Sequence, residues 1–333
     1  MSRLPHVPPE LAAAPFRGTD AVARGLLTPD QLRSSAWVRV MRDVYVRRTL
    51  QLDPDTRIRA LALLDRRQHV VCGLTAAWAY GVWRPRPGTA LPLEVTRHVT
   101  AAGTGVQGYL RRRLTLTDAP DVDLGRPDPL DGRSDVVVVD GLRVTSPLRT
   151  CFDLIRRHQL VESVAFADAF AYAGLITPPG LVSYCAGFPR WPVVRQARVV
   201  ADLATDRSRS PGESRLRMVV VLAGLGEPFV NVGLHDAEGA HIATPDLLLL
   251  GRRPLAMEYD GGYHDEAGQP QKDRRRRTRF VSSTDIPLVE FDRDDLLRRR
   301  DFIVETVERK TGRRALNPLD ARDFRRGAAR WVP

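Results

Sequence analysis

Lysine is almost missing from this chain: of 51 Lys and Arg residues, only Lys272 and Lys310 are lysine. Cysteine is scarce too, with Cys72, Cys151 and Cys185 far apart and no C-x-x-C pair. That excludes the disulfide framework of a small secreted domain and a thiolate zinc site, and makes a reducing cytoplasm the expected compartment. No apolar run approaches the length of a membrane span, and Met1–Phe16 lacks the apolar centre of a signal peptide, so no membrane partner is expected. Acidic residues are in the minority, 40 Asp and Glu against 51 Lys and Arg, giving a net charge of +11. Arg in place of Lys, together with abundant Ala, Gly, Pro and Asp, fits the codon usage of a GC-rich bacterial genome. Such a bias explains which cation is used but not why cations are in excess. The excess favours a polyanionic partner.

What is present reads as a folded chain. At 333 residues, 43% hydrophobic and 27% charged, it is long enough for two or three domains with real cores. Residues 1–90 read as short helices followed by a β-ribbon. Thr19-Asp20 opens a helix that runs through Arg24 and ends at Gly25, and Thr28-Pro29-Asp30 opens a second one through Ser35. Val38, Val40, Val44 and Val46 alternate around Arg42-Asp43 as a hairpin. The outline is a winged helix-turn-helix, with Arg33, Arg39, Arg42, Arg47 and Arg48 on its second helix and wing as candidate phosphate contacts. A solvated face of a small helical domain is the alternative. Helical spacing continues over Asp55–Arg67 and Gly73–Gly81.

Residues 91–207 read as an α+β connector without a catalytic constellation. Strands are expected at Leu91–Thr96 and Gly108–Leu116, then a hairpin around Asp140-Gly141. Helices are expected from Ser146-Pro147 and at Val161–Tyr172, Pro179–Cys185 and Val193–Ala204.

Residues 208–311 carry the chemistry, and a basic, loosely ordered tail is expected over 312–333. A helix opens at Ser210-Pro211-Gly212-Glu213, and strands come next at Phe229–Leu234, His241–Leu249 and Leu255–Tyr259. A helix near Pro270–Ser282, a strand at Pro287–Phe291 and a helix at Asp294–Arg309 complete a small mixed sheet flanked by helices. Asp246, Glu258 and Asp260 end or interrupt otherwise apolar strands, where an acid is costly unless a cation or donor compensates it. Brought to one sheet end, they form an oxygen-rich cage suited to Mg²⁺ or Mn²⁺. Asp260 also suits the first position of an Asp-Gly turn, and Ser210-x-x-Glu213 is also a capping box. His264, in the polar loop after the turn, titrates near neutrality and is a candidate general base. Lys272, a candidate catalytic cation or else an exposed lysine, begins a basic helix in which Arg274 and Arg277 are candidate phosphate contacts, and Asp273 can pair with Arg277 across one turn.

This order, with acids in these places, resembles the PD-(D/E)-x-K nuclease superfamily, in its branch similar to the very-short-patch-repair endonucleases. The matching pieces are Glu213, Pro245-Asp246, Glu258-Tyr259-Asp260-Gly261, His264, Asp273-Arg274 and Pro287–Phe291. Residues 1–90 resemble the winged-helix domain of AbiEi-type antitoxins through Gly25-Leu26, Asp43-Val44-Tyr45 and Gly73–Ala77. The resemblance implies a restriction-endonuclease-like fold, α+β overall, with Asp246 and Glu258 as the two metal-ligating acids. The lysine of the motif is replaced by Asp260, a carboxylate that cannot stabilise developing negative charge as an ammonium does.

The expectation is therefore a cytoplasmic, Mg²⁺- or Mn²⁺-dependent endonuclease or nickase acting on duplex DNA, with a homodimer compatible. A non-catalytic DNA-binding regulator of antitoxin type is the alternative, and a toxin-type RNase a further one.

Overall fold

The computed structural model describes residues 7–63, 69–84, 93–96, 109–112, 134–139, 141–261, 280 and 284–324. The expected helix near 270–282 thus lies almost wholly outside the described residues. The architecture is mixed α/β, with several small sheets and helices packed on them. The chain divides into two compact units, residues 1–150 and 151–333.

In the first unit, β1 (Phe16–Arg17), α1 (Gly18–Ala23), α2 (Pro29–Leu32), β2 (Trp37–Met41) and β3 (Val44–Arg47) come in the order expected of helices followed by a hairpin. The three strands form a sheet in the order β1-β3-β2. The second helix stops at Leu32 rather than Ser35, and Thr28 and Gln31 form a reciprocal capping box at its start. Phe16, Trp37 and Tyr45 pack together over Leu11, Ala21 and Leu27.

The hairpin turn is not a free wing. Asp43 sits in the left-handed region at φ 61°, and its carboxylate accepts from Thr19 N at 2.9 Å and Thr19 Oγ1 at 2.6 Å. Asp43 thereby caps α1 from across the sheet, in place of the expected local Thr19-Asp20 cap. Burial works against the Asp43 charge, but the hydrogen bonds from Thr19 and Arg17 outweigh it and hold the carboxyl below its ordinary range.

Next come α3 (Pro54–Ala62), β4 (Val70–Val71), α4 (Gly73–Ala79), β5 (Leu93–Thr96), β6 (Tyr109–Arg112), β7 (Val136–Val139) and β8 (Leu142–Thr145). Strands β4 to β8 make one sheet in the order β6-β5-β4-β8-β7. The hairpin between β7 and β8 has the expected register, Val139 opposite Leu142. Because β4 pairs with both β5 and β8, the expected boundary at residue 90 falls within one hydrogen-bonded sheet. Residues 70–80 therefore belong with β5–β8, and not with the β2–β3 hairpin.

The division at residue 150 falls inside α5 (Pro147–Ile155). In the second unit α6 (Leu160–Tyr172), α7 (Pro178–Ala186) and α8 (Val194–Leu203) precede α9 (Pro211–Leu222). The expected boundary at 207 runs between elements that are tied by charge. Glu162 on α6 receives both Arg215 Nε at 2.7 Å and Arg215 Nη2 at 3.0 Å from α9. Arg217 is buried and spans Asp168 Oδ2 at 3.2 Å, Glu227 Oε1 at 2.9 Å and Leu203 O at 2.7 Å. Burial raises the Asp168 carboxyl although Arg217, Thr205 and Ser214 oppose the shift. Cys151 and Cys185 are buried free thiols in this unit, both pushed above their ordinary range by burial, Cys185 to about 11. The thiols serve as small apolar packing groups.

After α9 come β9 (Phe229–Val230), β10 (Leu234–His235), β11 (His241–Ala243), β12 (Leu247–Leu249), β13 (Leu255–Asp260), β14 (Leu288–Asp292), α10 (Arg293–Arg298) and α11 (Arg300–Thr311). The main sheet has the order β14-β13-β12-β9, parallel between β13 and β14 and antiparallel elsewhere. The expected strand at 229–234 breaks at Asn231, which is left-handed at φ 49°, and the strand at 241–249 breaks at Thr244-Pro245-Asp246. β10 and β11 leave the main sheet as a separate ribbon. The expected single C-terminal helix is divided at Arg299.

Residues 312–324 are docked rather than loose. Leu316 N donates to Ala223 O at 2.8 Å, and Val161 N donates to Asp323 O at 3.1 Å. Phe324 packs against the same core as α9 and β13. Among the described residues no helix is long and apolar enough to cross a membrane.

Candidate functional site

The site is set by the alternation of β13. Leu255, Met257 and Tyr259 face the core under α9, α10 and α11, together with Leu247, Leu249 and Phe291. Ala256 faces the opposite side with Leu248 and Leu288. Successive strand residues point to opposite faces, so Glu258 and Asp260 continue the Ala256 side. Leu247 pairs with Met257 at the end of the β12–β13 ladder, and Asp246 precedes it at the bend before β12. Asp246 is oriented by the partner strand, since its Oδ2 accepts from Tyr259 N at 2.8 Å.

β14 adds acids that sequence reading did not assign to the site. In the parallel ladder Glu290 lies beside Glu258, and Asp292 beside Asp260. Asp292 is engaged in a reciprocal capping box with Asp295 at the start of α10. Glu290 and Asp260 are exposed, while Asp246 and Glu258 are half-buried.

Glu213 reaches the same strand ends from α9. Ser210 Oγ accepts from Glu213 N at 3.1 Å, the first half of the expected capping box. The second half differs: Glu213 Oε2 accepts from Arg209 N at 2.9 Å rather than from Ser210 N. The same oxygen accepts from Asn231 Nδ2 at 2.7 Å. Asn231 N in turn donates to Asp246 O at 2.9 Å. A continuous chain therefore runs from Glu213 through Asn231 and Asp246 to the backbone of Tyr259. Gly212 makes the close approach possible, because a Cβ there would overlap the Tyr259 ring at Cε1 and Cδ1.

The donor chemistry suits a hard divalent ion. Asp246, Glu258 and Asp260 offer carboxylate oxygens, and Asn231 Oδ1 is a buried acceptor that receives no hydrogen bond among the described residues. No group of three His, Cys, Asp or Glu side chains is gathered into an ion-sized cluster among the described residues. The fit is thus one of donor type, with Glu258 and Asp260 on one face of β13. His264, Lys272, Arg274 and Arg277 lie outside the described residues.

The arginines of the first unit are dispersed. Arg33 is exposed and 3.3 Å from Asp30 within its own helical turn. Arg39 is exposed, with Nε donating to Met41 O at 3.2 Å. Arg42 is exposed at the hairpin turn, whereas Arg47 is half-buried opposite Trp37. Arg48 Nε is spent on Ser35 O at 2.6 Å.

Sequence reading missed Asn231. Its signal was the interruption of Phe229–Leu234, since Asn is among the few non-glycine residues that tolerate a left-handed backbone. Glu290 was missed because nothing short of the strand pairing places it beside Glu258.

No family model matches the chain, and no curated protein matches it. A solved structure, that of the Rv2827c protein from Mycobacterium tuberculosis, is similar at 16% identity with a TM-score of 0.37. The match covers 61% of this chain and 74% of that one. A likeness this distant carries no argument about function.

Proposed function

We propose that the chain is a metal-dependent DNA endonuclease or nickase with a restriction-endonuclease-like region of the very-short-patch-repair type over residues 208–311. The observation that supports this reading best is that the Asp246 carboxylate is held against β13 by Tyr259 N, next in the strand to Glu258, with Glu213 tied to Asp246 through Asn231. In this reading Asp246, Glu258 and Asp260 hold Mg²⁺ or Mn²⁺. The ion, when bound, supplies Lewis acidity at the scissile phosphate and makes its water easier to deprotonate. Water oxygen bonds to phosphorus, one P–O ester bond breaks, and the leaving alkoxide takes up a proton. The proton lost by the water would go to His264, or to Asp260 where Asp246 and Glu258 alone hold the ion, and bulk water would supply the proton that the leaving alkoxide takes up. Lys272 is the candidate stand-in for the displaced ammonium, and Arg274, Arg277, Arg33, Arg39, Arg42 and Arg47 are the candidate phosphate contacts. Such contacts position duplex DNA without reading its sequence.

A second reading, a non-catalytic DNA-binding regulator of antitoxin type, is favoured by one feature: Asp260 stands where the motif places an ammonium. The two separate in one experiment. Supercoiled plasmid is incubated with wild-type protein and Glu258→Ala, with Mn²⁺, Mg²⁺ or EDTA, and a mixed RNA pool is run in parallel. Cleavage by metal-loaded wild type and loss of at least ~100-fold in the variant is the expected result, in keeping with removal of an ion-holding group. Tight DNA binding with no cleavage by either protein would transfer the conclusion to the regulator. Cleavage confined to RNA would make the enzyme a ribonuclease.

A further inference from the structure

We propose that Asn231 is a positioning residue that holds two carboxylates of the candidate site at once, Asp246 through its backbone and Glu213 through its side chain; this rests on the metal-site reading above. The backbone half comes from conformation. Asn231 ends β9 in the left-handed region at φ 49°. In that conformation its N–H donates to Asp246 O at 2.9 Å. Asp246 stands at the bend that breaks the 241–249 strand and has already left the regular ladder at Leu247. Its backbone is therefore fixed on one side by Asn231 while Tyr259 N fixes its carboxylate on the other.

The side-chain half comes from donor and acceptor accounting. Asn231 Nδ2 lies 2.9 Å from Arg207 O and 2.7 Å from Glu213 Oε2, and both are acceptors. An amide turned the other way would place its oxygen against two oxygens, so the orientation is decided. The amide and Arg209 N both donate to Glu213 Oε2, which leaves Glu213 Oε1 as the oxygen able to face the sheet end. Glu213 is only 6% exposed, and a buried carboxylate is directed by its donors. Groups that orient ion-holding residues commonly change metal affinity by about 10- to 100-fold when removed.

Two substitutions separate the halves. Asn231→Gly keeps the left-handed backbone without strain and keeps the N–H to Asp246, and it removes only the amide. Asn231→Val removes the amide and also opposes the backbone, because a β-branched residue is a genuine outlier at positive φ. Mn²⁺ binding is measured by titration calorimetry on the full chain, with Glu258→Ala as the site control and thermal unfolding as the fold control. The expected result is Mn²⁺ affinity about 10-fold weaker in Asn231→Gly, a larger loss in Asn231→Val, and none detectable in Glu258→Ala. A merely structural asparagine would lower the melting temperature and leave Mn²⁺ affinity of the folded protein unchanged, and that outcome overturns the positioning role alone. Wild-type protein that binds no Mn²⁺ overturns the metal-site reading and this role with it.

Discussion

Asp43 shows how a single residue is committed to structure although its surroundings suggest a DNA-facing wing. The left-handed backbone at 43 turns its carboxylate back onto Gly18-Thr19, where α1 begins with no side-chain cap of its own. Asp43→Ala is expected to cost about 1–2 kcal/mol, the loss of a cap plus strain at positive φ, as read by urea unfolding. Asp43→Asn tolerates the backbone and keeps one acceptor, so it isolates the charge. The wild-type carboxyl is held below its unfolded range, so the folded state binds fewer protons than the unfolded state as the pH drops. The stability that the charge contributes is therefore present above about pH 4 and lost as pH falls through the lower folded value. Wild type and Asp43→Asn should accordingly differ near neutral pH and converge in acid; a difference that does not depend on pH would contradict the charge argument.

At the scale of elements, the site depends on how α9 meets β13. α9 is fastened by Arg215 to Glu162 and by Arg217 to Asp168, and its first turn comes down on Tyr259 at Gly212. Gly212→Ala is expected to destabilise by about 1–3 kcal/mol, because the added methyl overlaps an aromatic ring that the core holds in place. Tyr259→Ala should relieve much of that cost. A double-mutant cycle by thermal unfolding reads the coupling, and strictly additive effects would show that the two residues do not press on each other. The helices and strands themselves were legible in the sequence because each signal was local: Thr28-Pro29 for a helix start, Asp140-Gly141 for a turn, Ser210-Pro211 for α9. The breaks were not legible. Asn231 ends its strand by turning left-handed, Pro245 interrupts the 241–249 run, and the division at Arg299 falls inside an arginine run that carries no stop signal. Ser210-x-x-Glu213 allows both a cap and a site residue, and the local geometry gives Glu213 a backbone amide partner and a link to Asp246 together.

For the whole molecule, composition spoke to partners and not to boundaries. A +11 chain in which nearly every cation is arginine fits a polyanion, yet the expected boundaries at 90, 207 and 311 all fall inside packed or hydrogen-bonded units. The reason is that β4 needs β8, α6 needs α9, and residues 312–324 need α9 and α6, pairings that depend on contacts distant in sequence. The acids stand out for the opposite reason: a carboxylate in an apolar strand is conspicuous in one dimension, and the proposal needs Asp246 and Glu258 to be adjacent. That adjacency is the claim on which the proposed chemistry stands, and crystals of the full chain soaked in Mn²⁺ test it directly by anomalous scattering. The account expects one peak or a close pair about 2.1 Å from carboxylate oxygens of both Asp246 and Glu258, whereas Mn²⁺ bound only elsewhere, or bridging neither residue, would contradict it.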